Sequence, residues 1–264
     1  MKLKKILSLA LAVGISVSTI GCSRGGDEKT IKVGASSSPH AEILEVIKPQ
    51  LEKEGYKLEI EVFDDYVLPN TALSEGSLDA NFFQHLPYLE ETIKEKGYKL
   101  TYTEKIHIEP MGLYTDKLKS IDQLKNGATI AIPNDATNGA RALKLLADNN
   151  IIKVKDGELI TAKDITENPK NINIKAMNSE QLPSTLKDVD AAVINTNYAI
   201  SSKLNPKKDT IAIESVDSPY ANILACREDN KDSEKLKALS KALTSDEVKE
   251  FIEKKYNGSI ISAF

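Results

Sequence analysis

Arg141 and Arg227 are the arginines found beyond residue 30, against many lysines. Arg141 falls at the start of an expected helix, where a guanidinium can clamp a carboxylate through two parallel bonds or pair at the surface with an acid such as Asp135. Asn134, Asn138, Asn195, Asn197 and Asn222 offer amides able to meet both a carboxylate and an ammonium, although asparagine also serves loops as turn chemistry. Asn195 follows an apolar strand and Asn222 sits inside another extended segment, which favours the binding role for these two. The chain has nine Tyr, five Phe and no Trp, yet Phe63, Tyr66, Phe82, Phe83 and Tyr88 crowd into one stretch around His85. Aromatic rings give large contact area at low conformational cost, which suits either an apolar ligand or a core. His40, His85 and His107 do not share helical ligand spacing, so a metal site needs long-range convergence. No paired-cysteine motif, G-x-S-x-G or Walker loop occurs. The expectation is a binding protein with no catalytic residues, cofactor or metal.

The elements that carry these residues read as two copies of one plan. Residues 30–36 alternate like a strand and run into Ser36–Pro39, a helix-start signal. The helix carries Ile43, Leu44, Ile47 and Leu51 on one face, meets Pro49 and ends by Gly55. A strand over 57–63, a helix over 69–75 and a strand over 78–82 complete a βαβαβ unit, with Phe83–Tyr88 as the loop beyond it. The order returns as strand 128–132, helix 138–148, a polar insertion, strand 172–176, helix 179–187 and strand 191–194. Strands alternating with helices imply right-handed parallel crossovers and open α/β sheets. Two such sheets imply two lobes. Ligands of such sheets lie beyond the carboxyl ends of the strands, which places Tyr66, Phe83, His85, Asn138, Arg141 and Asn195 around one cleft. Segments 106–115 and 211–227 would cross between lobes, and helices over 232–243 and 245–256 would pack back on the first.

The chain opens on a basic Lys2, Lys4, Lys5 region and an apolar run from Ile6 to Ile20, too short to span a bilayer. Gly21-Cys22 follows, the pattern of a lipobox whose cysteine thiol carries diacylglycerol, although Thr19 stands where Leu is usual. Ser23–Lys29 is polar and suits a tether. The formal net charge is -4, from 35 Lys+Arg against 39 Asp+Glu interspersed along the chain, and nothing resembles a nucleic-acid footprint. With Cys22 lipidated, Cys226 has no disulfide partner and reads as a small buried hydrophobe.

DYVLPNTALSEGSLDANFFQHLPYL, IAIPNDATNGARAL at 130–143, NPKN at 168–171, AAVINTNYA at 191–199 and SPYAN at 218–222 resemble the MetQ/NlpA lipoprotein family, the substrate-binding components of methionine ABC importers. Five separated blocks in order cover essentially the whole mature chain. The resemblance implies a periplasmic-binding-protein fold of type II: two lobes, each an open mostly parallel sheet flanked by helices, with the ligand in the interlobe cleft. It implies Tyr66, Phe83 and His85 around the ligand side chain, Arg141 on its carboxylate, and Asn195 and Asn222 on its backbone groups, with Asn138 in the same set. The expected partners are L-methionine, D-methionine or a methionine-containing dipeptide, an ABC permease with its ATPase, and the membrane through Cys22. The expected segments are a signal peptide over 1–22, a tether over 23–29, lobe 1 from 30–112 plus 214–264, and lobe 2 from 113–213. Another small amino acid or a metal ion is the alternative cargo.

Overall fold

The computed structural model describes residues 28–264, so Cys22, the signal segment and most of the tether lie outside the described residues. In chain order the first half comprises β1 (Thr30–Ala35), α1 (Glu42–Lys53), β2 (Lys57–Val62), α2 (Leu68–Ser74), β3 (Ala80–His85), α3 (Leu86–Lys96), β4 (Leu100–Ile108), β5 (Gly112–Tyr114), β6 (Thr129–Pro133) and α4 (Ala136–Asp148). Then follow a small hairpin of β7 (Lys153–Val154) and β8 (Ile165–Glu167), β9 (Asn173–Met177), β10 (Ala191–Ile194), α5 (Thr196–Ser201), β11 (Thr210–Ile213), β12 (Ala221–Arg227), α6 (Glu234–Leu243), α7 (Asp246–Tyr256) and β13 (Ile261–Ser262).

Two sheets form two lobes. The first runs β13-β4-β12-β3-β1-β2 and the second β11-β5-β10-β6-β9. Each has a parallel core of three strands, β2-β1-β3 and β9-β6-β10, flanked on one side by antiparallel strands. The parallel cores share one strand order, which makes the repeat in the sequence a repeat in space. Each repeat then receives a strand made after a crossing: β5 joins the second sheet, and β12 returns to the first between β3 and β4.

The apolar stripe of α1, Ile43, Leu44, Ile47 and Leu51, is fully buried. It packs in one core with Leu236 and Leu239 of α6 and Val248 and Ile252 of α7, so the C-terminal helices do close the first lobe. The second core gathers Ile130, Leu143, Leu146 and Val193. Burying such aliphatic side chains contributes roughly 1.5–3 kcal/mol each, and the stripe on both sides of Pro49 keeps α1 helical to Lys53 despite the missing N–H.

The helix start signalled at Ser36–Pro39 is present: Ser38 is extended at φ -139°, ψ 138°, and helical backbone runs through a short turn ending at Ala41 into α1. Three local expectations change. The strand expected at 78–82 is β3 at Ala80–His85, its six residues all buried. Residues 83–88 are then no loop: α3 starts directly at Leu86, with Pro87 in its first turn and Gly97 closing it at φ +69°. The helix expected over 179–187 is two short 3-10 turns, Ser179–Gln181 and Pro183–Lys187, since Pro183 removes a donor from the series.

Candidate ligand-binding site

The carboxyl ends of β3 and β10 face one cavity. Tyr66, Phe83, His85, Asn138, Arg141, Asn195 and Asn222 all line it. Asn197, one of the candidate amides, lines it too, as do Gln84, Tyr88, Glu109 and Thr196, which were not among the expected site residues. The start of α3 accounts for Tyr88, and the Pro87/Gly97 pair was its sequence signal. Glu109 was hidden inside an expected crossing strand.

The first lobe supplies an aromatic wall. Ring centroids of Tyr66 and Phe83 lie 5.8 Å apart, those of Tyr66 and Tyr88 5.9 Å, and those of Phe83 and Tyr88 6.1 Å. Tyr198 of the other lobe completes the group at 4.9 Å from Tyr66. Phe82, the next residue along β3, points the other way into the core beneath and is fully buried, as strand alternation requires. The two neighbours in the sequence are thereby divided between packing and pocket.

The second lobe supplies the polar wall. Asp135 caps α4, accepting from the Asn138 backbone at 2.9 Å, and also holds the Asn138 amide, Nδ2 to Oδ1 at 3.0 Å. That orients Asn138 Oδ1 outward, where His85 Nε2 meets it at 3.1 Å and Asn195 Nδ2 donates to it at 2.8 Å. The network also fixes tautomers: His85 Nδ1 accepts from the Tyr88 N–H, so Nε2 carries the proton. Burial, with Arg141 nearby, pulls the His85 pKa down to about 3, and the ring is neutral. Burial raises the Asp135 carboxyl, opposed by its bonds to Asn138. Asn138 is therefore a bridge between the lobes whose hydrogen bonds are spent on protein. Asn195 differs: its Oδ1 is buried and without a partner, an acceptor waiting for a donor.

Arg141 is no surface residue and does not pair with Asp135. It is 3% exposed, gives Nε to Glu214 Oε1 at 2.8 Å and Nη2 to Glu214 Oε2 at 2.5 Å, and donates from Nη2 to the Glu109 carbonyl at 2.7 Å. The Tyr220 ring lies 4.2 Å from its Cζ. All of these partners come from the crossings between lobes, and Glu214 also accepts from the Met111 N–H at 3.1 Å. Other bonds span the cleft directly: Tyr66 Oη donates to Asn197 Oδ1 at 2.6 Å, and Tyr198 Oη to the Asp64 carbonyl at 3.0 Å. The lobes are closed.

Among the described residues, the group able to hold a metal is His40, His107 and Glu109, whose ligating atoms lie within 4.8 Å of one another. His85 is not part of it. The separations would suit ion pairs, with His107 Nε2 2.7 Å and His40 Nε2 3.3 Å from Glu109 Oε1, but burial pulls the two imidazoles down to about 3 and about 4. The rings are neutral: His107 donates to the carboxylate, and His40 Nε2 meets Asn222 Oδ1 at 3.0 Å with Glu109 beside it.

A two-lobed α/β body with a cleft walled by rings on one side and an arginine on the other is a solute receptor of the periplasmic-binding-protein class. Residues 31–264 match the NlpA lipoprotein family model, and the chain belongs to that family. It is 45% identical to the D-methionine-binding lipoprotein MetQ of Salmonella typhi, over 100% of this chain and 99% of that protein. It is 42% identical to the methionine-binding lipoprotein MetQ of Bacillus subtilis, over 96% of each. Among solved structures, a nutrient binding protein from Burkholderia cenocepacia bound to methionine superposes with a TM-score of 0.86 at 48% identity, covering 89% of this chain and 100% of that one.

Proposed function

We propose that this protein is the substrate receptor of an ABC importer, capturing methionine between its lobes and delivering it to a membrane permease driven by a cytoplasmic ATPase. The observation that carries the reading is the division of the cavity: Tyr66, Phe83 and Tyr88 offer polarizable ring surface to a thioether, while the opposite wall offers Arg141 and the unpartnered Asn195 Oδ1. A zwitterion losing its hydration needs both a cation and an acceptor. Arg141 is assigned to the carboxylate, Asn195 and Asn222 to the backbone groups, and Tyr66, Phe83 and His85 to the side chain. His85, neutral and tied to Asn138, packs against the ligand without proton chemistry, and the protein performs no covalent step.

The lobe division proposed is 30–112 plus 214–264 against 113–213. The two sheets support it, with Gly112 at the start of β5 as the exception. Anchoring is assigned to Cys22, facing away from the cytoplasm; no helix among the described residues is long and apolar enough to cross a membrane.

Mass spectrometry of protein purified without denaturation, followed by calorimetric titration with L-methionine, D-methionine and a methionine-containing dipeptide, tests the cargo. A co-purified mass of methionine and saturable binding are expected. A different retained solute, with no heat from any of the three ligands, overturns the assignment.

A further inference from the structure

Glu109 is an acid in the cleft to which no part of the ligand has been assigned. It lies on the crossing between β4 and β5, 6% exposed, and lines the cavity. Its placement is over-determined. His107 Nε2 donates to Oε1 at 2.7 Å, and His40 Nε2 lies 3.3 Å from the same oxygen.

The two rings are themselves held. His40 Nδ1 meets Ser36 Oγ at 2.6 Å, and its Nε2 is also shared with Asn222 Oδ1 at 3.0 Å. Both imidazoles stand edge-on to Phe82, with centroids at 4.6 and 5.3 Å. A carboxyl group fixed in this way loses its freedom to turn away, while burial raises its pKa and makes its charge costly until a cation arrives.

Glu109, Glu214 and Asp135 outnumber Arg141 around the cavity, and of these acids Glu109 is the one that lines it. Arg141 is the positive group at the cleft, and Glu214 takes it through both carboxylate oxygens. His40, His85 and His107 are held neutral by burial. Glu109 shares the cavity with Arg141 but receives its Nη2 on the backbone carbonyl rather than on the side chain. A buried carboxylate without a matching cation is costly, and a ligand that brings the cation removes that cost. The orphaned Asn195 Oδ1 in the same cavity is a second acceptor for the same donor.

We infer that Glu109, clamped by His40 and His107, receives the ligand's protonated α-amine, and that the cleft therefore takes amino acids with a free amine and rejects those acylated on that nitrogen. The inference rests on the cleft being an amino-acid site. Glu109 is then a specificity-determining residue, and His40 and His107 are positioning residues acting through it. An amide N–H is neutral and brings an acyl group into space that the clamped carboxylate already fills.

The full-length protein is titrated with L-methionine, N-acetyl-L-methionine and 4-(methylthio)butanoate, which lacks the amine. Glu109→Gln and His107→Gln, singly and together, follow with the first and third ligands. Wild type is expected to bind methionine roughly 100-fold more tightly than either analogue, the size expected when one partner of a buried charge pair is missing. Glu109→Gln should lose most of that preference while its affinity for 4-(methylthio)butanoate stays within about threefold of wild type. His107→Gln should weaken methionine alone, and should add nothing on top of Glu109→Gln, as residues acting through one group do.

Wild type binding N-acetyl-L-methionine as well as methionine overturns the inference. So does a Glu109→Gln protein that loses both ligands by one factor, which would mark Glu109 as a scaffold residue. Should Glu109→Gln fail to fold, the wild-type ligand series and the charge-keeping Glu109→Asp, expected to retain the preference, decide the matter. If wild type ignores methionine, the cargo reading fails, and a screen of other amino acids beside their N-acetyl forms tests the free-amine rule alone. A free amino acid bound without its acetyl form sustains the rule; no amino acid bound at all ends it.

Discussion

Replacing Arg141 by lysine keeps the positive charge and removes the fork. The guanidinium places Nε and Nη2 on the two oxygens of Glu214, at 2.8 and 2.5 Å, and Nη2 on the Glu109 carbonyl at 2.7 Å, with Tyr220 stacked 4.2 Å from Cζ. A lysine ammonium on an unbranched stem reaches one carboxylate oxygen at a time and offers no plane to the ring. A hydrogen bond to a charged group is worth about 1.5–3 kcal/mol, and the cation–ring contact roughly 0.5–2 kcal/mol. Part of this returns through water at the cleft edge, where the Glu214 side chain is 14% exposed. About 2–3 kcal/mol of the interactions that hold the side chain in place is lost, and because the cation then no longer faces the cleft in a fixed orientation, ligand affinity should fall by up to the same amount, at most roughly 30- to 150-fold in Kd. Isothermal titration with L-methionine measures it, with thermal melts to show that the fold survives. A lysine variant within about threefold of wild type would mean that charge alone, not the oriented fork, serves the carboxylate.

Tyr66→Phe removes the 2.6 Å bond to Asn197 across the cleft. It should weaken binding by about 1 kcal/mol and shift small-angle scattering of the ligand-free protein towards larger dimensions; unchanged values for both would deny that this bond helps hold the lobes shut. Leu44→Ala empties a fully buried position beneath α6 and α7 and should cost about 2–5 kcal/mol in urea unfolding, with a loss under 1 kcal/mol counting against the described core. Acid should destabilise the protein below pH 6.5. His40, His85 and His107 have folded pKa values pulled down to about 4, 3 and 3, so their stabilisation is present above 6.5 and fades as the unfolded chain takes up protons first, by about 2–3 kcal/mol per histidine between pH 6.5 and 4.5. Glu109 and Asp135, raised by burial, work in the opposite sense and offset part of this; unfolding free energies that hold steady from pH 7 to 4.5 would refute neutral buried rings. Cys22→Ala should move the protein from the membrane to the soluble fraction on cell fractionation, and persistence in the membrane would remove the assigned anchor.

Where one local rule governs a segment, the sequence was readable. The strand over 191–194 and the buried face of α1 follow directly from apolar runs and helical spacing. The rule that ligands sit beyond strand ends points Tyr66, Phe83, His85, Asn138, Arg141 and Asn195 at one cleft, and the family resemblance adds Asn222; all seven line the cavity. What escaped depends on partners far along the chain. Glu214 lies 73 residues from Arg141 in a stretch that reads merely as a crossing strand, and nothing near Arg141 announces it. Glu109 alternates within an apolar run and looks like the solvent side of a strand, because only the fold shows that His40 and His107 stand over it. Asn138 was readable as polar but not as spent, since its bonds depend on Asp135 and His85 together.

The return of β12 to the first sheet, between β3 and β4, sets an order of assembly. Synthesis delivers β1, β2 and β3 early, and they cover part of the apolar face of α1, yet β3 keeps an open edge and the rest of that face stays uncovered until β12, α6 and α7 emerge. The second sheet draws all its strands from 112–213 and can close sooner. A nascent chain thus carries its first lobe as an unfinished half through most of its own synthesis, with an unpaired strand edge available to neighbours. Truncation near the C-terminus would therefore damage the part of the molecule made first.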